Sequence, residues 1–160
     1  MFSMKKFMRI NYVRATPLEI SQMQALVASE VENGIILARS DDEIATNIRS
    51  YTLVYQDNML VGFSALHIHT KELAEIRSLV IKENMRGQKI GENLVLQQLS
   101  EAKELHLKKV LSLTYKQTFF QRLGFVEIPK ESLPEHKIWA DCIKCKHFPI
   151  CNEVSLIKNL

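Results

Sequence analysis

Hydrophobic residues recur at helical spacing near the start of the chain, in the segment ATPLEISQMQALVASEVENG. The apolar side chains that would form one buried helix face are Ile20, Met23, Val27 and Val31. Thr16 precedes Pro17, and Glu19 stands where it can complete a capping box, so a helix is predicted to begin here. Gly34 is suited to ending it.

Strand-like and helix-like patterns alternate along the rest of the chain. SDDEIATNI predicts a short helix capped by Ser40, and two apolar runs around Asp57 and Asn58 predict a β-hairpin. LAEIRSLVI and KKVLSL predict strands on either side of a long helix that begins at about Lys89, and QTFFQRLGF predicts a short helix broken by Gly124. The tail from Val126 is mixed. The order β-α-α-β-β-β-α-β-α-β predicts an α/β fold with a mixed sheet.

Composition narrows the class of protein. The chain has 160 residues, of which 46% are hydrophobic and 24% charged, so one globular domain is expected. We expect no membrane span, because no apolar run approaches about 18 residues. We expect no secretory signal, because the segment MFSMKKFMRINY has no continuous apolar h-region and no small-residue cleavage site. The net charge of +3 is too small to indicate nucleic-acid binding. Three clustered cysteines are a poor disulfide framework, which favours the cytoplasm.

The segment WADCIKCKHFPIC contains all the cysteines and could be a metal site. The three thiols and one imidazole that could complete a tetrahedral zinc site are Cys142, Cys145, His147 and Cys151. The loops between these ligands would be very tight, so we favour packed, reduced and structural cysteines over a zinc-dependent interaction module. His67 and His69 share a strand face but lack a third ligand nearby, which favours a surface or pocket-lining role for them.

The turn between LAEIRSLVI and the long helix is the strongest candidate for a ligand site. Its residues are Arg86, Gly87, Gln88, Lys89, Ile90 and Gly91. Glycines allow close approach to the backbone, and a helix N-terminus supplies unpaired N–H groups, so the turn suits a pyrophosphate. It is neither a P-loop nor a G-x-G-x-x-G fingerprint. From spacing alone, an ordinary strand–helix turn is equally consistent.

The same residues carry a resemblance to a known family. RGQKIG resembles the R/Q-x-x-G-x-G/A motif of the GNAT acetyltransferase superfamily, and FFQRLGF resembles its FYxxxGF ending. Further segments, above all LPEHKIWADCIKCKHFPICNEVSL, resemble the short bacterial N-acetylglutamate synthases over nearly the whole chain. The resemblance implies a GNAT fold with six or seven mixed strands flanked by helices. It also implies a single domain over 1–160, with 129–160 as a family-specific C-terminal segment.

The resemblance further implies acetyl-CoA as co-substrate. Its pyrophosphate would lie on the amides of residues 86–91, with Glu92 beside them in the first turn of the helix. Its pantetheine arm would pair with the edge of the preceding strand at Leu79, Val80 and Ile81.

The implied reaction is acetylation of the α-amine of L-glutamate, the first step of arginine biosynthesis. Glu75 corresponds to the family's catalytic base, although a solvated glutamate at the start of a strand would look the same. The tyrosine that many members use as an acid is replaced by Phe120. Thr114 and Tyr115 are the nearby hydroxyl groups.

An anionic acceptor requires cations. By resemblance, Arg39 would bind the carboxylate, with Ser40 either donating or only capping its helix; the remaining candidates are Arg77, Ser78, Lys137 and Lys146. Arg77 could instead pair with Glu75, and both lysines could be solvated. Glutamine, another amino acid, a small amine and a protein amine are the alternative acceptors. A homodimer is an open expectation.

Overall fold

The computed structural model describes residues 9–134, 137, 141 and 152–160. The strands are β1 Ile10–Arg14, β2 Tyr51–Gln56, β3 Met59–Ile68, β4 Leu73–Ile81, β5 Lys109–Thr114, β6 Val126–Ile128 and β7 Val154–Asn159. The helices are α1 Ile20–Glu32, α2 Asp41–Thr46, α3 Ile90–Glu104 and α4 Gln117–Arg122. The strands form a seven-stranded sheet in the order β1-β2-β3-β4-β5-β7-β6, which confirms the predicted α/β class. Within the described ranges, no helix is long and apolar enough to cross a bilayer.

The sheet is mixed because one pair of neighbouring strands is parallel. β4 and β5 run parallel with α3 as the crossover between them, whereas the other neighbouring pairs are antiparallel. One sheet face is covered by α1 and α2, in a cluster that includes Met23, Leu53 and Phe63. The other is covered by α3 and α4, where Val95 and Phe120 are buried.

Helix starts follow the predicted capping chemistry. Thr16 accepts a hydrogen bond from the Leu18 amide at 3.3 Å and Glu19 accepts one from the Thr16 amide at 3.2 Å, so the capping box is confirmed. One 3₁₀ turn, Pro17–Glu19, precedes the regular helix. The Ser40 hydroxyl accepts from the Glu43 amide at 3.1 Å and caps α2.

A β-bulge in β4 changes which face its side chains occupy. Arg77 pairs with Ala65 and Val80 pairs with Phe63, so two β4 residues stand opposite the single Ser64. Ser78 has φ of +59°, an uncommon value outside glycine. Ala74 and Ile76 precede the bulge and pack in the cluster of α3, whereas Val80 packs in the cluster of α1. Alternation therefore reverses at the bulge, which a strict period of two along the sequence does not predict.

The last strand was not predicted from the sequence. β7 inserts between β5 and β6, and its Leu156 is fully buried. The strand is short, and its pairing with β5 joins positions as distant as Lys109 and Asn159, so nothing in the local pattern indicates it. Its insertion places Val154–Asn159 directly beside β5.

Candidate active site

A cavity opens where β4 and β5 separate. The two strands pair only over Leu73–Glu75 and Lys109–Leu111, and beyond that point β5 pairs with β7 while β4 stays with β3. The gap contains a cavity of about 200 Å³. The residues lining it from the two strands are Glu75, Arg77, Ser78, Leu79, Ser112, Leu113 and Thr114. The residues lining it from α1 and the following loop are Glu30, Val31 and Gly34 to Arg39.

A second cavity, of about 370 Å³, lies at the start of α3. Leu79 and Lys116 line both cavities, so the two are adjacent along the split between the strands. The predicted turn residues that line the second cavity are Arg86, Gly87, Lys89, Ile90, Gly91 and Glu92, together with Ile81 of β4. Gln88 is not among its lining residues, and Val80 is turned into the core by the bulge.

The turn before α3 has the backbone of an anion cradle. Gly87 and Lys89 have φ of +81° and +61°, which folds the chain tightly before the helix begins. The first-turn amides of α3 have no acceptor within the helix, and the helix dipole adds positive potential there. A Cβ built on Gly87 would meet nothing within 4 Å, so there is open space for a ligand. The residues present therefore fit a pyrophosphate.

Arg86 supports the geometry of this turn. Its Nε donates to the Ile81 carbonyl at 2.9 Å, and its Nη2 lies 3.2 Å from Glu30 Oε1. The side chain thereby ties the end of β4 to α1, while also lining the second cavity.

Glu75 is buried beside two basic side chains. Its Oε2 is 2.7 Å from Lys137 Nζ, and its Oε1 is 2.8 Å from His69 Nε2. Burial alone would raise the pKa of Glu75, but the charge of Lys137 and the hydrogen bonds from His69 and Lys137 outweigh it and lower the pKa to about 2. The carboxylate is therefore ionised at neutral pH.

Asp141 links three cations in the same cavity. Its Oδ1 is 2.8 Å from Arg39 Nη1, and its Oδ2 is 3.2 Å from Arg77 Nη1 and 3.0 Å from Lys137 Nζ. Burial opposes ionisation, yet hydrogen bonding to Arg39 and the charge of Lys137 hold the pKa of Asp141 below its usual range. Sequence reasoning missed this residue. The spacing of four from Lys137 is the signal that could have indicated it.

The structure brings most predicted acceptor-site residues together. Arg39, Arg77 and Lys137 line one cavity with Glu75, and Lys137 is buried rather than solvated. Arg77 makes its ion pair with Asp141 and not with Glu75. The predicted residues lining the same cavity are Ser78, Thr114 and Tyr115. Ser40 is not among the lining residues, and Lys146 lies outside the described residues.

Phe120 occupies the position at which, by the resemblance, many family members have a tyrosine that acts as an acid. It is buried, lines the cavity and makes edge-to-face contacts with Phe119 and Phe125. The Thr114 hydroxyl accepts from the Lys116 amide at 2.9 Å. Tyr115 is 38% exposed. Both predicted hydroxyl residues line the cavity; Thr114 is the last residue of β5, and Tyr115 is the first residue after it.

The histidine pair borders this charge network. The rings of His67 and His69 contact edge to face at 4.8 Å. Burial and the neighbouring Arg77 charge lower the pKa of His67 to about 4, so the ring is neutral at pH 7. In the part of the chain that the structure describes, no three His, Cys, Asp or Glu side chains are grouped to hold a metal ion. Cys142, Cys145, His147 and Cys151, which were considered as zinc ligands but for which a structural role is favoured, lie outside the described residues.

Comparison with known proteins agrees with this arrangement. Residues 47–127 match the family described as an acetyltransferase (GNAT) domain. An uncharacterized N-acetyltransferase of Chlorobaculum tepidum is 34% identical over 142 residues, covering 89% of this chain and 91% of that protein. The chain therefore belongs to the GNAT acetyltransferase family, and its class is that of the N-acetyltransferases.

Longer relatives share only this domain. The amino-acid acetyltransferase of Salmonella typhi is 29% identical over 126 residues, which is 78% of this chain but 28% of that protein. The structure of N-acetylglutamate synthase from Neisseria gonorrhoeae, complexed with coenzyme A and N-acetyl-glutamate, superposes with a TM-score of 0.85 at 22% identity. The match covers 97% of this chain and 36% of the Neisseria chain. These likenesses confirm the predicted GNAT fold.

Proposed function

We propose that this protein transfers the acetyl group of acetyl-CoA to the α-amine of L-glutamate, as the first step of arginine biosynthesis in the cytoplasm. The observation that carries the proposal is the convergence of Arg39, Arg77 and Lys137 in one cavity with the buried carboxylate of Glu75. Cations at this position suit the carboxylates of an amino acid whose amine must react beside them.

The second cavity is the proposed site of the co-substrate. The amides around Gly87 and the N-terminus of α3 would hold the pyrophosphate, and the edge of β4 beyond Glu75 would pair with the pantetheine amides. Leu79 lies between the cavities, so the thioester would reach the acceptor cavity there. A backbone N–H at this edge would polarise the thioester carbonyl.

The acceptor must lose a proton before it can attack. Glu75 is the proposed proton acceptor, with His69 orienting its carboxylate through the 2.8 Å hydrogen bond. A carboxylate with a pKa of about 2 is a weak base while Lys137 is its partner. When an acceptor carboxylate binds Lys137, the stabilising charge is shared, and burial then raises the pKa of Glu75.

In the chemical step, a bond forms between the amine nitrogen and the acetyl carbon, and CoA is the leaving group. The amine lone pair attacks the thioester carbonyl carbon, the C–S bond breaks, and CoA leaves as a thiolate. The nitrogen loses two protons in all: the first passes from the ammonium to Glu75 before attack, and the second leaves as the C–S bond breaks, so that the thiolate takes up one proton and solvent the other. Ser78, Ser112, Thr114 and Tyr115 carry the hydroxyl groups that line the cavity, and Thr114 and Tyr115 are the proposed proton donors to the thiolate, since Phe120 carries no hydroxyl.

A screen of CoA release tests the proposal. Purified protein would be mixed with acetyl-CoA and with L-glutamate, L-glutamine, L-lysine or a short peptide, with and without L-arginine. We expect the highest kcat/KM on glutamate, and the glutamate-to-glutamine ratio measures the preference between these two acceptors. Turnover of lysine or the peptide without turnover of either glutamate or glutamine would contradict the proposal.

A further inference from the structure

The carboxylate of Asp141 is the common partner of three cations from three separate parts of the chain. Arg39 lies before α2, Arg77 is on β4, and Lys137 belongs to the C-terminal segment that also contains Asp141. The contact distances are 2.8, 3.2 and 3.0 Å respectively. Asp141 is 6% exposed, so these contacts are shielded from water. No other described carboxylate contacts all three cations.

Three cations do not converge in a buried cavity without a counter-charge. Arg39 and Arg77 are each about nine-tenths buried, and the charge of Arg39 acts with burial to lower the pKa of Arg77. Asp141 offsets this repulsion. Glu43 also pairs with Arg39 at 3.0 Å and Glu75 pairs with Lys137, so the three cations face three carboxylates in all.

The two guanidinium groups retain unused donors. Asp141 contacts each arginine through a single nitrogen, Nη1, rather than through the bidentate fork that arginine offers to a carboxylate. The Nε atoms of Arg39 and Arg77 are buried, and neither has a hydrogen-bond partner in the described chain. Asp141 therefore holds the two arginines close together while the Nε donor of each has no partner in the described chain.

We infer that Asp141 is a positioning residue for the acceptor, holding Arg39 and Arg77 together so that their remaining donors receive an acceptor carboxylate. The inference rests on the proposed function, which supplies the anionic acceptor. An alternative is that Asp141 imitates the acceptor carboxylate and competes with it. The single-nitrogen contacts favour positioning, because a competitor would occupy the forks that the acceptor uses.

The test is steady-state kinetics of Asp141→Asn, which removes the charge at nearly constant shape. Positioning predicts that KM for L-glutamate rises about tenfold or more, the loss expected when a charge-assisted contact is disrupted. KM for acetyl-CoA should change less than about twofold, since the co-substrate cavity does not include Asp141. In Asp141→Ala, added formate should restore part of the affinity for glutamate.

The matched control is Asp57→Asn in the β2–β3 turn, where φ is +53° and asparagine is tolerated. It should leave all constants unchanged. If Asp141→Asn does not fold, Asp141→Glu keeps the charge on a longer arm, and positioning then predicts a rise in KM for glutamate of about threefold or more.

Three outcomes are decisive. An unchanged or lowered KM for glutamate in an active Asp141 variant would overturn the inference and leave the proposed function intact. Absence of formate rescue in folded Asp141→Ala would also count against it. Wild-type protein that acetylates no amino acid would instead overturn the proposed function, and this inference with it.

Discussion

Two buried carboxylates, those of Glu75 and Asp141, pair with the cations that line the cavity between β4 and β5. Glu75 faces Lys137 and His69, whereas Asp141 faces Arg39, Arg77 and Lys137. Removing one member of a buried ion pair costs about 3–5 kcal/mol, so these groups also support the fold. Lys137 belongs to both sets, so it links the proposed base to the side of the cavity where we propose that the acceptor carboxylate binds.

Glu75→Gln should lower kcat because an amide cannot accept the proton of the amine. We expect a loss of about 10²-fold or more at pH 7, the usual contribution of a general base, and a smaller loss at high pH where more of the amine is already neutral. The pH–rate profile of kcat for the variant and the wild type checks this. An unchanged profile would rule out Glu75 as the base.

Acid should destabilise the protein through Glu75. Its pKa is about 2 in the folded state against an ordinary value of 4.5, so its stabilisation is complete above pH 4.5 and is lost as pH falls towards 2. The difference corresponds to about 3 kcal/mol. Urea unfolding across this range should show a steeper loss for wild type than for Glu75→Gln.

The control for this experiment is Glu104→Gln, which alters an exposed residue at the end of α3. Its stability should follow the wild-type pH dependence. Equal slopes for wild type and Glu75→Gln would show that Glu75 does not carry the acid sensitivity.

At the scale of elements, two irregularities position the site. The bulge at Ser78 reverses side-chain alternation in β4, so Glu75 and Arg77 face the α1 side, while Leu79 and Ile81 pack towards α3. The left-handed residues before α3 turn the chain so that the helix N-terminus meets the second cavity. Neither feature affects the order of elements. The bulge determines which β4 side chains line each cavity, and the turn determines where the N-terminus of α3 lies.

Gly87→Val should weaken binding of acetyl-CoA. A β-branched side chain is strained at φ of +81°, and its methyl groups would enter the open space in front of the turn. We expect KM for acetyl-CoA to rise about tenfold, with a smaller change in KM for the acceptor. Gly87→Ala is the milder comparison. Equal effects on both KM values would indicate general disorder of the fold instead.

In the whole molecule, the order of elements through β6 could be predicted from the sequence, as could Arg39, Glu75, Arg77 and Lys137 among the residues that line the first cavity. Helix caps and apolar periodicity are local, so Thr16, Ser40 and the hairpin could be predicted directly. The bulge at Ser78 and the strand β7 depend on pairing between distant segments, and neither has a local signal. Asp141 has a local signal in its spacing of four from Lys137, but that spacing does not indicate the contact that reaches across 102 residues to Arg39.

The arrangement as a whole resembles a bi-substrate cleft. One split between parallel strands supplies both cavities, with backbone donors at one end and buried charges at the other. The family and the fold are those of the GNAT acetyltransferases. The charged residues at one end of the split are the reason that we propose an anionic acceptor.

The most direct test compares kcat/KM for L-glutamate with that for analogues lacking one carboxylate. 4-Aminobutyrate lacks the α-carboxylate, and 2-aminobutyrate lacks the side-chain carboxylate. If Arg39, Arg77 and Lys137 bind the acceptor, each analogue should react at least about tenfold less efficiently than glutamate. Equal or better turnover of 4-aminobutyrate, or of an amine without any carboxylate, would contradict the proposed role of this cavity.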